Sequence, residues 1–183
     1  DDTTYPSRLR DIFDPPLLLY GKGSMPLFDD EAAIAVVGTR SCTAYGLDVA
    51  SQLGYELARQ GALVLSGMAK GIDGAAMKGA LRAGGFTAAV LGGGVDVVYP
   101  AENRRIYEDV AATGVVLSEY PPGTEPMASH FPVRNRILSG LSLAAVVVEA
   151  PERSGALITA STALEQGREV FAVPGPINAP NSK

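Results

Sequence analysis

Residues 34–41 read Ile-Ala-Val-Val-Gly-Thr-Arg-Ser: four apolar residues, a glycine, and then a small hydroxyl residue and a cation. A continuous apolar run of this kind is typical of a strand that is buried on both faces of a parallel sheet. The glycine lets the backbone approach a ligand, and residues 43–60 then show helical spacing that ends at Gly61. This order predicts one strand–loop–helix unit of an α/β fold.

The same unit recurs along nearly the whole chain. The predicted helices cover residues 43–60, 72–83, 102–112, 132–140 and 156–166. The predicted strands are Leu17–Tyr20, Ile34–Val37, Leu63–Leu65, Thr87–Leu91, Val115–Leu117, Ala144–Glu149 and Val170–Val173. Right-handed crossovers between such strands give a mostly parallel sheet with helices on both faces, so the predicted fold is an extended Rossmann-like α/β fold.

The length of 183 residues suits a single domain with a real core. Within it, residues 1–31 are predicted to form an N-terminal extension packed on a Rossmann-like core of residues 32–183. The segment Leu17–Tyr20 is expected to add a strand, bounded by Asp14-Pro15-Pro16 and Gly21-Lys22-Gly23.

Composition narrows the function classes. No apolar run approaches the ~20 residues of a membrane span, and the chain opens with Asp1 and Asp2 rather than a basic and then apolar signal segment. Cys42 is the sole cysteine and His130 the sole histidine, which excludes an internal disulfide and a Cys/His zinc site. We therefore expect a cytoplasmic protein without a metal or other cofactor.

The net charge of −5 is unevenly distributed. Residues 1–31 contain seven acidic and three basic residues, whereas residues 32–183 contain thirteen acidic and twelve basic residues. The main domain is therefore nearly neutral, and a local basic groove on it is compatible with a polyanionic partner.

Five loops suited to phosphate follow predicted strands, where ligands gather in a sheet of this kind. They begin at Gly38-Thr39-Arg40, Ser66-Gly67, Gly92-Gly93-Gly94, Ser118-Glu119 and Glu149-Ala150. A glycine after a strand is on its own more often a simple turn than a phosphate site. A row of such loops along one sheet edge, however, suggests an extended chain of phosphates rather than one mononucleotide.

Residues 131–136 add an aromatic ring and two guanidinium groups. Phe131 lies one helical turn before Asn135, and no acidic residue occurs between Pro126 and Val148. Core placement of Phe131 remains an alternative. Asp73 is expected to cap its helix or to pair with Lys70, and His130 to be structural or ligand-contacting rather than a general base.

The standard nucleotide-binding patterns are missing. Gly92-x-Gly94 is followed by Val97 where a dinucleotide site needs glycine or alanine, and residues 74–79 lack the spacing of a P-loop.

Taken together, the motifs resemble the DNA-processing protein A family (DprA, also called Smf) over essentially the entire chain. The shared landmarks are Tyr5-Pro6, Pro15-Pro16, Val37-Gly38-Thr39-Arg40, Ser66-Gly67, Gly71-Ile72-Asp73, Gly92-Gly93-Gly94, Tyr99-Pro100, Asn103, Ser118-Glu119-Tyr120, Phe131-Pro132, Arg134-Asn135-Arg136, Glu149-Ala150, Ser154-Gly155, Thr159-Ala160 and Val173-Pro174-Gly175.

The resemblance implies a non-catalytic protein of bacterial DNA uptake, natural transformation (competence) and recombination. Such proteins bind and protect incoming single-stranded DNA, form homodimers and help load the RecA recombinase. By motif, the resemblance assigns DNA binding to Gly38, Thr39, Arg40, Lys70, Phe131, Arg134, Asn135, Arg136, Ser154 and Gly155.

Two departures from the family pattern stand out. Met77 occupies a position where the family usually has a histidine. The family also continues beyond Pro174-Gly175, so part of the closing segment of the domain, and of a dimer surface, is expected to be missing after Lys183.

Three functional hypotheses follow. In the first, Arg40, Arg134, Arg136 and Lys70 hold phosphates of single-stranded nucleic acid, and Phe131 stacks a base at roughly 1–3 kcal/mol. The second is an enzyme similar to the nucleoside-monophosphate phosphoribohydrolases, although residues 149–155 lack the paired glycines of that family. The third is a protein-interaction module that uses the acidic extension.

Overall fold

The structure is a computed structural model and describes residues 4–179 and residue 181. Seven strands form one sheet: β1 (Tyr20–Gly23), β2 (Ala33–Val37), β3 (Leu63–Ser66), β4 (Thr87–Val90), β5 (Val115–Ser118), β6 (Ala144–Val147) and β7 (Glu169–Ala172). Their order is β1-β5-β4-β3-β2-β6-β7. All neighbouring pairs are parallel except β1 with β5, which is antiparallel.

Helices cover both faces of this sheet. The helices are α1 (Ser7–Arg10), α2 (Ala44–Arg59), α3 (Ile72–Arg82), α4 (Arg104–Thr113), α5 (His130–Leu141) and α6 (Gly155–Glu165). Helices α1, α5 and α6 pack on one face, and α2, α3 and α4 pack on the other. In β2, for example, Ala35 faces the first group and Val36 the second. This confirms the predicted mostly parallel α/β fold with two covered faces.

Helix α2 begins and ends as the sequence predicts. The side chain of Thr43 accepts a hydrogen bond from the backbone N–H of Gly46 and so caps the first turn. After Arg59, Gly61 adopts a positive φ of 83°, a left-handed conformation that glycine adopts without strain.

Two glycines bring α2 and α3 unusually close together. A Cβ atom on Gly54 would lie 2.0 Å from the carbonyl oxygen of Ala76, and one on Gly79 would lie 1.9 Å from that of Ser51. Because both obstacles are backbone atoms, no side chain larger than hydrogen fits at either position. The relative placement of the two helices is therefore fixed by backbone contact.

The strand expected at Leu17–Tyr20 was placed too early. The observed β1 runs over Tyr20–Gly23, with Tyr20 opposite Ser118, while Leu17 is fully exposed. Gly23 has a φ of 110°, and a Cβ there would lie 2.3 Å from the carbonyl oxygen of Gly114. Gly23, which we interpreted as bounding the strand, is thus the residue that lets the strand approach the backbone of Gly114.

Other element bounds differ by a few residues. Helix α5 begins at His130 rather than at residue 132, so that Pro132 lies in the first turn, where its missing N–H is tolerated. Strand β6 ends at Val147 instead of Glu149. The helix expected over 102–112 starts as a 3-10 turn at Ala101–Asn103 and continues as α4.

Residues 4–31 contribute to the main core. Leu9, Ile12 and Phe28 belong to the same buried cluster as Ile137 and Leu141 of α5. Arg8 donates to the carbonyl oxygens of Glu31 and Leu141, and Arg168 donates to that of Arg8. None of the helices described between Thr4 and Asn181 is both long enough and apolar enough to cross a bilayer.

Candidate nucleic-acid interface

The strand order reverses direction at β2. From this strand the chain extends to β3 on one side, while β6 pairs on the other side. In open α/β sheets, the crevice beyond the carboxyl ends of such strands is where ligands bind. The loops that follow β2, β3, β4 and β6 meet in this crevice.

Two adjoining pockets of about 240 and 290 Å³ occupy the crevice. They share Arg40, Ala69, Phe131 and Arg134, and we call their union the trough. Four of the five predicted loops, together with the first turns of α5 and α6, therefore form one continuous surface. The remaining lining residues are Val37, Gly38, Thr39, Gly67, Lys70, Asp73, Leu91, Gly92, Gly93, Val97, Tyr99, Pro100, Pro126, Asn135, Leu138, Pro151, Arg153, Ser154, Gly155, Ala156 and Thr159.

Arg40 lies where the two pockets meet. Arg40 is exposed, and no carboxylate among residues 4–179 and 181 forms an ion pair with it. Its guanidinium carbon lies 5.0 Å from the centroid of the Phe131 ring, within the range of a cation–π contact. The planar cation is thus held at the junction with its hydrogen-bond donors available to an anion.

Phe131 is half-buried and has several neighbours. The ring centroid of Tyr99 lies 5.7 Å away at an interplanar angle of 26°, and the guanidinium carbon of Arg134 lies 6.0 Å away. A Cβ on Gly92 would lie 2.9 Å from the Phe131 ring, so the loop after β4 needs glycine at that point. Phe131 therefore lines the trough and does not belong to any of the three hydrophobic core clusters.

Arg134 lies at the base of the trough, where its side chain connects the loops that form that base. It is only 5% exposed, and it donates hydrogen bonds to the carbonyl oxygens of Gly67 and Val90 and to the side chain of Asn135. Burial lowers the pKa of its guanidinium to about 10, which the charge of Asp73 partly opposes. Because β3 and β4 end at these carbonyls, Arg134 joins the two strand ends.

The loop between β3 and α3 is held by polar side chains. Asp73 accepts hydrogen bonds from the backbone N–H groups of Gly67 and Ala69, and burial raises the pKa of its carboxyl group. Asn103 donates to the carbonyl oxygens of Met68 and Ala69. Met68 itself has a φ of 59°, which is rare for a residue with a side chain.

The expected pairing of Asp73 with Lys70 does not occur. Asp73 points into the loop, whereas the ammonium of Lys70 lies 3.6 Å from a carboxylate oxygen of Glu102, with both side chains exposed. Such an exposed ion pair contributes little and exchanges readily. Lys70 lines the trough, and its phosphate contact stays a prediction.

Arg136 lies on the other side of α5 and does not line the trough. It forms ion pairs with Glu119 at 2.8 Å and with Asp14 at 3.0 Å. Burial alone would lower the pKa of its guanidinium, but the hydrogen bond and charge of Glu119 and the charge of Asp14 raise it. Side chains two positions apart in an α-helix point in directions that differ by about 200° around the helix axis. Arg134 and Arg136 therefore lie on different sides of α5.

The loop after β6 supplies the opposite wall. The hydroxyl of Ser154 accepts from the N–H of Ala156 and caps α6, and Asn135 donates to the carbonyl oxygen of Gly155. A Cβ on Gly155 would meet no atom within 4 Å, so this end of the trough is open. Arg153, exposed and in the same wall, is a further cation that the sequence analysis did not select.

A carboxylate of the protein already occupies the start of α2. Glu149 is buried and accepts hydrogen bonds from the backbone N–H and the hydroxyl of Thr43. A Cβ on Gly46 would lie 2.5 Å from this carboxylate. The N–H and the hydroxyl of Thr43 are therefore not available to a phosphate, because an internal anion already lies at this positive helix end.

Two further rings lie near Phe131: His130, which supports the loop after β4, and Tyr99, which lines the trough. The Nδ1 atom of His130 lies 2.8 Å from the carbonyl oxygen of Gly92, and its ring stacks on Tyr120 at 4.1 Å. Tyr99 is a half-exposed lining residue that the sequence analysis quoted only as part of a loop. In the described part of the chain, no three His, Cys, Asp or Glu side chains cluster as a metal site requires.

The chain is similar to known proteins over its whole length. The family model described as DNA recombination-mediator protein A matches residues 1–183. DNA processing protein DprA of Bacillus subtilis is 48% identical over 176 residues, which are 96% of this chain and 59% of the relative. The chain thus spans about three-fifths of the length of this relative.

Two solved structures share the fold closely. DNA processing protein A from Streptococcus pneumoniae superposes with a TM-score of 0.93 at 45% identity, covering 99% of this chain and 63% of that one. DNA processing protein A from Helicobacter pylori, whose structure concerns its single-stranded DNA binding mode, superposes with a TM-score of 0.90 at 31% identity. The match covers 97% of this chain and 81% of that one. The chain therefore belongs to the DNA recombination-mediator protein A family.

Proposed function

We propose that the trough binds single-stranded DNA without selecting its sequence. The observation that carries this proposal is the exposed Arg40, which has no ion-pair partner in the described part of the chain and lies against Phe131 where two pockets join. A cation next to an aromatic ring in an extended channel is the arrangement that single-strand binding proteins use. The H. pylori relative supports the same conclusion, since its structure concerns single-stranded DNA binding.

Three cations are suited to phosphate contacts in the trough. Arg40, Lys70 and Arg153 are exposed and line it from different loops. Three such contacts predict a slope of about −2 for log affinity against log salt with a single strand. The remaining surface of a protein with a net charge of −5 repels DNA, which concentrates binding at these cations.

The aromatic side chains are suited to unpaired bases. Phe131 and Tyr99 border the pocket that is lined by the loop after β4. Stacking on such rings is tolerant of sequence and is worth about 1–3 kcal/mol per base. In a duplex the bases are already stacked and paired, so duplex DNA should bind more weakly.

We propose that this role is not enzymatic. The phosphoribohydrolase alternative would need an available carboxylate in the loop after β6, but Glu149 is buried and held by Thr43. The acidic extension does not carry this proposal, because two of its carboxylates, Asp14 and Asp29, pair with Arg136 and Arg8 of this chain.

Family membership extends the proposal to the whole protein. We propose a cytoplasmic homodimer that protects incoming strands during DNA uptake and delivers them to the RecA recombinase. The chain covers about three-fifths of the length of the Bacillus subtilis and Streptococcus pneumoniae relatives.

Fluorescence anisotropy with a labelled oligothymidine tests the proposal. The Arg40→Ala variant should bind at least about threefold more weakly at low salt, because one phosphate contact is lost. Arg59→Ala is the matched control, since Arg59 is an exposed arginine at the far end of α2. Wild-type affinity in Arg40→Ala, or an equal loss in both variants, would overturn the proposal.

A further inference from the structure

We propose that the strand leaves the trough through the groove between α2 and α3, where Lys78 holds an additional phosphate. This inference rests on the proposed function, because it extends the path of the same ligand. The groove has a volume of about 530 Å³, and we call it the α2–α3 groove. Six of its lining residues matter to the argument: Arg40, Cys42, Ser51, Lys70, Lys78 and Glu102.

The groove is continuous with the trough. Arg40 lines both pockets of the trough and also the α2–α3 groove, and Lys70 lines the groove and one pocket. A DNA strand that contacts Arg40 and Lys70 in the trough can therefore continue into the groove.

The charges in the groove favour a polyanion. Three basic side chains and one acidic side chain line it, although the whole chain carries a net charge of −5. Lys78 is exposed, and no carboxylate of the described residues pairs with it. Glu102 is engaged with Lys70 at 3.6 Å in an exposed pair that a phosphate can replace at low cost.

The groove has rigid walls. Gly54 and Gly79 place the backbones of α2 and α3 in direct contact, so the helices cannot close over the space or separate without losing that packing. The groove is thus present before DNA binds, and its occupation costs little conformational entropy. A preformed basic channel adjoining a stacking platform suits a continuing single strand rather than a folded partner.

Oligonucleotide length separates the groove from the trough. An oligothymidine of about 4 nucleotides is limited to the trough, whereas one of about 16 nucleotides also reaches the groove. Lys78→Ala should weaken binding of the long oligonucleotide about threefold and reduce the slope of its log affinity against log salt by about 0.7. The affinity for the short oligonucleotide should be unchanged. Arg59→Ala again serves as the control with equal charge loss.

Equal affinity of Lys78→Ala and wild type for the long oligonucleotide would overturn this path. That outcome differs from failure of the proposed function, in which the wild-type protein itself binds neither oligonucleotide and Arg40→Ala changes nothing.

Cys42 offers an independent measurement, because it lines the groove and is the sole cysteine of the chain. Burial raises the pKa of its thiol, so alkylation is followed at alkaline pH, where the thiolate forms. The long oligonucleotide should slow alkylation by iodoacetamide in wild type and much less in Lys78→Ala. The short oligonucleotide should slow it weakly in both. Equal protection by both lengths would contradict the proposed path.

Discussion

The guanidinium carbon of Arg40 lies 5.0 Å from the centroid of the Phe131 ring, although 91 positions separate the two residues in the chain. Arg40 lies three residues after the end of β2, and Phe131 lies in the first turn of α5. The fold thus joins a phosphate-binding cation to an aromatic ring at one point of the trough. The two groups can contact the phosphate and the base of the same strand.

Phe131→Leu should weaken single-stranded DNA binding by about 1–3 kcal/mol, since leucine keeps the bulk of the side chain but offers no ring for a base. Phe131→Tyr should bind almost as wild type. Anisotropy titrations measure both affinities. Phe13→Leu provides the control, because Phe13 is fully exposed and lines neither pocket of the trough. Full affinity in Phe131→Leu would exclude the ring as a stacking platform.

Arg134→Met should destabilise the fold by about 3–5 kcal/mol, because it leaves buried Asp73 without a nearby cation and two strand-end carbonyls without their donor. The loss should be smaller in an Asp73→Asn background, since the two charges are coupled. Urea unfolding of the two single variants and the double variant measures this coupling. Exposed Arg105→Met should stay within about 0.5 kcal/mol of wild type. Strictly additive losses would contradict a positioning role that depends on Asp73.

Sequence-based inference succeeded for features whose signal is local in the sequence. The alternation of apolar strands and helices predicted the sheet, because strands buried on both faces need continuous apolar runs. The glycine loop of Gly38 to Arg40 was likewise recognisable, since its chemistry is local. Ser154 and Gly155, which follow β6, were predicted at the same edge for this reason, and the structure places them in the trough.

Other features depend on contacts distant in sequence. Arg134 and Arg136 look equivalent in sequence, but the turn of α5 directs one to buried carbonyls and the other to Glu119 and Asp14. The position of β1 depends on how closely Gly23 can approach Gly114. Neither relationship is visible until the chain is folded, because the partners are far apart in sequence.

Asp29 should make stability dependent on pH in the acidic range. Burial would raise the pKa of its carboxyl group, but hydrogen bonds from the backbone N–H groups of Ser7 and Arg8 lower it overall. The stability that its charge contributes is therefore complete above the ordinary carboxyl pKa and is lost as the pH falls through the lower folded value.

Asp29→Asn should accordingly cost about 0.5–1 kcal/mol at neutral pH, where the exposed charge also lies 3.5 Å from Arg8. The difference from wild type should shrink as the pH falls below about 4, because the protonated carboxyl group then resembles the amide. Urea unfolding at several pH values measures it. A difference that is independent of pH would contradict this role of the charge.

Photocrosslinking tests the central claim most directly, because it locates the strand on the protein. An oligonucleotide containing 5-iododeoxyuridine is irradiated with the wild-type chain, and the attached peptide is identified by mass spectrometry. We predict crosslinks to the peptides that contain Phe131 and Tyr99, and loss of the first in Phe131→Leu. Crosslinks confined to peptides outside the trough, such as those containing Phe13 or Phe171, would contradict the account.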